Sequence, residues 1–244
     1  CTLFNVRVRV RTRGGKEAEG RGSMPLGNVW AFPPRFVPVD ASLAAMKALA
    51  TRAVEDTANW TICAHPIDLS VALEPEYKRL AGIVSDELNL DVPIPDLCTL
   101  VTTSPIDAAI HDAFGKANGI NCYNALGPDF VANDLSAYLG EEFAGKYLDA
   151  FVWEKPQASM PLYHLVGALD PLTDDDIDKR LDDGMPETLP EWIRADGLAH
   201  LKVKLNGDDL DWDVDRFLSV DRVASLTQEE RGGPECVYSA DFNE

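Results

Sequence analysis

No run of 18 or more apolar residues occurs in the 244-residue sequence, so no stretch qualifies as a membrane-spanning helix. No basic segment followed by an apolar core opens it, and no secretory signal is visible. Cations are scarce: 22 Lys and Arg stand against 41 Asp and Glu, a net charge of −19. Non-specific nucleic-acid binding needs a cationic surface, so no nucleic-acid partner is expected. A small anionic ligand is not excluded, because a local lysine pair can dominate its own pocket. Cysteines are few and odd in number: Cys1, Cys63, Cys98, Cys122 and Cys236, with no C-x-x-C. That is neither a disulfide framework nor a zinc site, and it points to a reducing, cytoplasmic setting. Asn59-Trp60-Thr61 matches a glycosylation acceptor but reads as chance without a secretory signal. The chain opens on Cys1 rather than Met, which predicts that residues were removed or that the sequence is a piece of a longer one.

What is present is ordinary for a soluble globular protein, 45% apolar and 26% charged. The length allows one large domain or two smaller ones. Phe4, Val6, Val8 and Val10 alternate with Asn5, Arg7, Arg9 and Arg11. This predicts a half-buried antiparallel strand whose arginines are a solvated face. Gly14-Gly15 marks a hairpin turn, and a second strand is expected over 16–23. Residues 24–39 are a Pro- and aromatic-rich loop, with Trp30, Phe32 and Phe36, suited either to cover a ligand or to pack on the protein body.

From Asp40 the periodicity turns helical. One helix is expected to about 56, capped by Asp40 or Ser42, and a second over 75–90 with Leu80, Ile83, Val84 and Leu88 on one stripe. The third has the clearest signals: Ser104 as cap, Pro105 at the first position, Ile106, Ala109, Ile110, Ala113 and Phe114 on one face, and Gly119 as the stop. His111 and Asp112 are neighbours on it, but adjacent helical residues point apart, which argues against a catalytic pair. Residues 128–158 are polar and irregular, with a short helix expected near 141–149 and a domain boundary. Beyond them a strand is expected at 159–167, an acidic helix after Thr173, strands at 200–205 and 236–240, and a helix between those two ending near 225. Strands recurring with helices between them predict βα units and a parallel sheet or barrel.

The strand His200–Leu205 carries Lys202 and Lys204 two residues apart, hence on one face. Crowded ammonium groups favour loss of a proton from one of them, which makes a lysine usable as a base. The same alternation puts Asp241 and Asn243 on one face of the last strand, so a base beside a divalent metal is one reading of the two strand ends. The plain alternative for K-x-K is a solvated strand edge. The run Asp209, Asp211, Asp213, Asp215 fails as a calcium loop, because the sixth and twelfth positions hold Val214 and Val220. It reads instead as an acidic helix start.

These motifs, in this order, resemble the enolase superfamily, specifically its mandelate racemase and muconate lactonizing branch. Ser104–Gly119 with Tyr123-Asn124-Ala125-Leu126-Gly127 is similar to the last helix of that family's capping domain and the turn after it. Lys202-Val203-Lys204 is similar to its K-x-K, and Asp241-Phe242-Asn243 to its D-x-N. The resemblance implies an α+β capping domain over 1–130, a linker over 131–158, and the first three strands of a (β/α)8 TIM-type barrel over 159–244. It implies an isomerase or lyase that removes the proton α to a carboxylate, with Mg²⁺ stabilising the enediolate. Lys204 would be the base, Lys202 the holder of the substrate carboxylate, Asp241 a Mg²⁺ ligand and Asn243 a substrate-binding residue. The reaction would be a racemisation, epimerisation, dehydration or cycloisomerisation of a small carboxylate, in a possible homo-oligomer. Such a barrel takes around 250 residues, and about 85 remain here after residue 160. The expectation is therefore an inactive fragment of a longer enzyme. The alternative is a non-catalytic binding module that keeps the capping domain.

Overall fold

A computed structural model describes residues 2–35 and 37–242, so Cys1, Phe36, Asn243 and Glu244 lie outside the description. The chain forms two compact units, divided between Pro156 and Gln157.

The first unit opens with an antiparallel hairpin, β1 (Leu3–Arg11) and β2 (Glu17–Pro25), paired from Leu3↔Pro25 to Arg11↔Glu17. Arg7 reaches Glu19 at 3.2 Å on the exposed face. The next stretch holds a short helix, α1 (Asn28–Ala31). Leu26, Phe32 and Val37 of this stretch are buried in the core, while Trp30 is exposed. Three long helices follow: α2 (Val39–Ala58), α3 (Pro66–Glu87) and α4 (Asp96–Asn118). Their apolar faces and the inner face of the hairpin share one core built on Val6, Met46, Leu49, Leu73, Leu80, Val84 and Ile106.

Opposite Val6 and Val8 the β2 strand has Gly22 and Gly20. A methyl group at either position would overlap the backbone oxygens of Pro105 or Ala109. The missing side chains let α4 lie directly on the strand.

α4 begins eight residues before the expected cap. Pro105 lies inside it, where its absent N–H cannot reach the Val101 carbonyl. The Ser104 hydroxyl donates to that same carbonyl at 2.9 Å, so the helix runs through. Gly119, with φ 67°, stops it in the left-handed region as expected. α3 likewise starts nine residues early, with Pro75 inside and the His65 ring accepting from the Ile67 N–H. Beyond α4, a 3₁₀ turn at Cys122–Ala125 leads to α5 (Ser136–Leu139) and two more 3₁₀ turns, at Glu141–Phe143 and Leu148–Phe151, in place of one helix. Val131 and Leu135 are buried here, and Asn133 and Tyr138 both donate to Asp68, so this stretch belongs to the first unit.

The second unit contains β3 (His164–Val166), α6 (Leu189–Asp196), β4 (His200–Lys204), α7 (Leu210–Arg231) and β5 (Val237–Asp241). The strands form one parallel sheet in the order β3-β4-β5. Leu201, Val203 and Val166 meet Ile193 of α6 and Val220 and Ala224 of α7 in a separate core. The expected acidic helix after Thr173 is a single 3₁₀ turn, Asp174–Asp176, closed by a Thr173–Asp176 capping box. The helix forms later, where Thr188 and Glu191 make a second capping box.

The expected architecture, a capping domain followed by strands of a (β/α)8 TIM-type barrel, is overturned. The described residues hold five strands, two antiparallel and three parallel in separate sheets, with seven helices and no barrel. Neighbouring strands twist by only about 20–25°, so three of them make an open sheet and cannot close on themselves.

Candidate active site

Alternation along β4 buries Leu201 and Val203 and leaves His200, Lys202 and Lys204 on the opposite face. In the parallel register Lys202 pairs with Ser239 and Lys204 with Asp241, and paired residues share a face. The two strands thus bring both lysines and Asp241 together at their C-terminal ends. Lys202 Nζ lies 2.8 Å and Lys204 Nζ 2.7 Å from the same Asp241 oxygen, Oδ2. All three side chains are partly buried, at 25–32% exposure. Tyr163, just before β3, presents its ring 5.7 Å from Lys202 Nζ.

Mutual repulsion was expected to let Lys202 lower the proton affinity of Lys204. Lys202 itself shifts upward. The hydrogen bond to Asp241 raises its pKa, helped by the charges of Asp241 and Tyr163, and outweighs the opposing effect of burial. At Lys202 the neighbouring carboxylate is the largest influence.

The chain leaving β4 is tied on two sides. The Leu205 N–H donates to the Asp241 carbonyl at 2.8 Å, which extends the β4–β5 pairing by one bond. Asn206 and Gly207 then donate to the two carboxylate oxygens of Asp213, at 2.7 and 3.0 Å. Gly207 turns with φ 78°, a conformation that favours glycine. Asp209 caps α7 by accepting from the Trp212 N–H. Arg216, one turn further, donates to the carbonyls of Gly167 and Asp170 just past β3. The first turns of α7 therefore anchor the exits of two strands. Sequence reading placed Asp213 in an acidic helix start and missed its inward role. The signal available was a glycine three residues past the lysine strand with an acid six residues further on.

Of the site residues expected from sequence, Lys202, Lys204 and Asp241 come together, and Asn243 lies outside the described residues. His111 and Asp112 do diverge: His111 turns to Asp107 of its own helix, and Asp112 accepts from Lys116 and the Arg21 N–H. A cleft of about 600 Å³ lies in the first unit among Arg11, Arg13, Lys16, His65, Asp68 and Phe114. Its cations are exposed hairpin residues, and Arg13 is engaged with the Cys63 carbonyl. Convergence of charged groups, rather than volume, is what singles out the lysine site.

Mg²⁺ requires close, near-octahedral oxygen coordination. Asp241 Oδ2 is already shared by two ammonium groups, beside which a dication would meet two like charges. Among the described residues, no three His, Cys, Asp or Glu side chains gather as a metal site. The residues described here do not fit Mg²⁺, and no chemical step is assigned to it.

No family model, no curated protein and no solved structure matches the chain. Among the described residues no helix is long and apolar enough to cross a membrane.

Proposed function

We propose that the protein is an enzyme that removes the proton α to the carboxylate of a small acid, the reaction type implied by its resemblance to the enolase superfamily. The observation that carries this reading is the convergence of Lys202 and Lys204 on one carboxylate oxygen at the ends of parallel strands. Ligands of open parallel sheets gather outside the carboxyl ends of the strands. A site where two ammonium groups already grip a carboxylate has the charge to grip another.

In this reading Lys202 holds the substrate carboxylate. Lys204, released from Asp241, first gives its own proton to solvent, and the resulting neutral amine takes the proton from the α carbon through Nζ. The C–H electron pair moves into the carboxylate and gives an enediolate. Two positive charges then face it, Lys202 and the newly protonated Lys204, where before there was one. The intermediate can be reprotonated, expel a β substituent or close a ring, so racemisation, epimerisation, dehydration and cycloisomerisation all follow from it. Cys63, Cys98, Cys122 and Cys236 are free thiols, which supports a reducing, cytoplasmic setting.

A second reading, a non-catalytic binding module, has one observation on its side. Asp241 engages both ammonium groups, as a purely structural ion pair would. Washout of α-deuterium from labelled acid sugars and dipeptides separates the two. An enzyme exchanges the label into water and loses this with Lys204→Met. Absence of washout across the panel, or washout that survives Lys204→Met, overturns the reading of Lys204 as base.

A further inference from the structure

We infer that Asp213, on the first turn of α7, is a positioning residue for Lys204; this rests on the reading of Lys204 as the base. Asp213 is 5% exposed, the one buried acid among the described residues. Burying a carboxylate is unfavourable unless its oxygens are satisfied. Here one oxygen accepts the Asn206 N–H at 2.7 Å and the other the Gly207 N–H at 3.0 Å. Hydrogen bonds to an ionised acceptor are among the stronger ones, and a two-pronged grip also fixes orientation.

Helix initiation does not account for this acid. Asp209 already supplies the cap, and the exposed Asp211 supplies negative charge in the first turn. What Asp213 adds is a fixed point two residues beyond Lys204. The intervening Leu205 is buried and bonded through its N–H to the Asp241 carbonyl. The backbone at Lys204 is thereby held between β5 on one side and α7 on the other. Its ammonium sits at the end of a flexible four-carbon stem, so the placement of Nζ depends on a backbone that does not shift. Lys202 lies two residues further inside the ladder, where strand pairing alone holds it.

That difference is testable in the resting protein, without substrate. Asp213→Asn removes the charge and one acceptor, Asp213→Glu keeps the charge at a different reach, and Asp215→Asn alters an exposed neighbour as a control. In Asp213→Asn, exchange of the Asn206 and Gly207 amides is expected to rise about tenfold, as a buried charge-assisted bond is lost. The ¹⁵Nζ signal of Lys204 is expected to move toward that of a free lysine while that of Lys202 stays in place. Asp213→Glu should recover part of the Lys204 shift, and Asp215→Asn should change neither. Deprotected amides with an unmoved Lys204 signal would overturn the inference, as would equal movement of both lysines. Should both Asp213 variants fail to fold, wild-type exchange decides. Asn206 and Gly207 must exchange as slowly as the amides of β4, and rapid exchange there overturns the inference. If α-deuterium washout is absent but Lys204 moves apart from Lys202, Asp213 still positions the lysine, and only the base reading falls.

Discussion

Lys204 and Asp241 face each other across the β4–β5 pair, in register along the backbone and joined through their side chains at 2.7 Å. Lys202 reaches the same carboxylate oxygen from two residues back. The arrangement follows from three facts about the sequence: alternation along β4, parallel pairing with β5, and an acid at the register position of the second lysine. It places two positive charges and one negative charge where a carboxylate ligand would compete with Asp241.

Millimolar Mg²⁺ should leave the melting temperature of this chain unchanged. An ion bound at a hundredfold its dissociation constant would stabilise the fold by about 2.7 kcal/mol, which a thermal scan resolves readily. Stabilisation of that size would contradict the misfit of the described residues to Mg²⁺.

Gly20→Ala and Gly22→Ala should each destabilise the first unit by about 3 kcal/mol, at the upper end for overpacking, because the clash is with helix backbone rather than a movable side chain. Denaturant unfolding measures this. A loss below about 0.5 kcal/mol, the scale of ordinary surface changes, would mean that α4 does not rest on β2 as described.

Ser104→Ala should cost about 1 kcal/mol, because it strips the Val101 carbonyl of its hydroxyl donor. Pro105→Ala restores a backbone N–H able to reach that carbonyl. The double variant should therefore be more stable than Ser104→Ala alone. Additive losses in this cycle would sink the pairing of hydroxyl and proline.

The hydrogen bond and charge of Asp107 raise the pKa of His111, and the same contact with His111, with Ser70 alongside, lowers that of Asp107 against the effect of burial. For a histidine with a raised folded-state pKa, the stabilisation is fully present below the unfolded value near 6.5 and is lost as pH rises through the folded value. His111→Ala should thus destabilise more at pH 5.5 than at pH 8. The difference is a few tenths of a kcal/mol, about the size of an i,i+4 pair, because Asp107 is half exposed. His65 titrates in the opposite sense, its pKa lowered first by burial and then by the charge of His111, so acid weakens the fold through His65. Melting temperatures of wild type and His111→Ala across pH 5–8 separate the two. An equal loss at both ends of the range would rule out the Asp107 contact as its source.

The hairpin, the lysine strand and the last strand were legible because period-two alternation is a strong local signal. The starts of α3 and α4 were not, for one shared reason, whereas α2 begins at Val39, next to the expected Asp40. Pro75 and Pro105 read as boundaries, yet both sit inside helices, where burial against the core outweighs a missing backbone bond and, at Pro105, Ser104 replaces it. The acidic stretch after Thr173 offered helical caps without apolar periodicity, and it formed a single turn. The barrel was inferred from motif order, and motif order does not carry strand count. At the site, sequence alternation put the lysines and Asp241 on common faces, but that they would meet on one oxygen, and that Asp213 would hold the loop beside them, depended on register and on burial of a side chain seven residues from its partner.

The most direct test follows the lysine ¹⁵Nζ signals and the Asp241 carboxyl carbon while a 2-hydroxycarboxylate is titrated into the protein. If the two lysines form a carboxylate grip, the acid competes with Asp241. Both lysine signals then shift and saturate together, the Asp241 carbon moves with the same midpoint, and Lys202→Met abolishes the response. If the signals stay in place to high millimolar acid, the three residues are a closed ion pair with no ligand to receive, and the catalytic reading is contradicted.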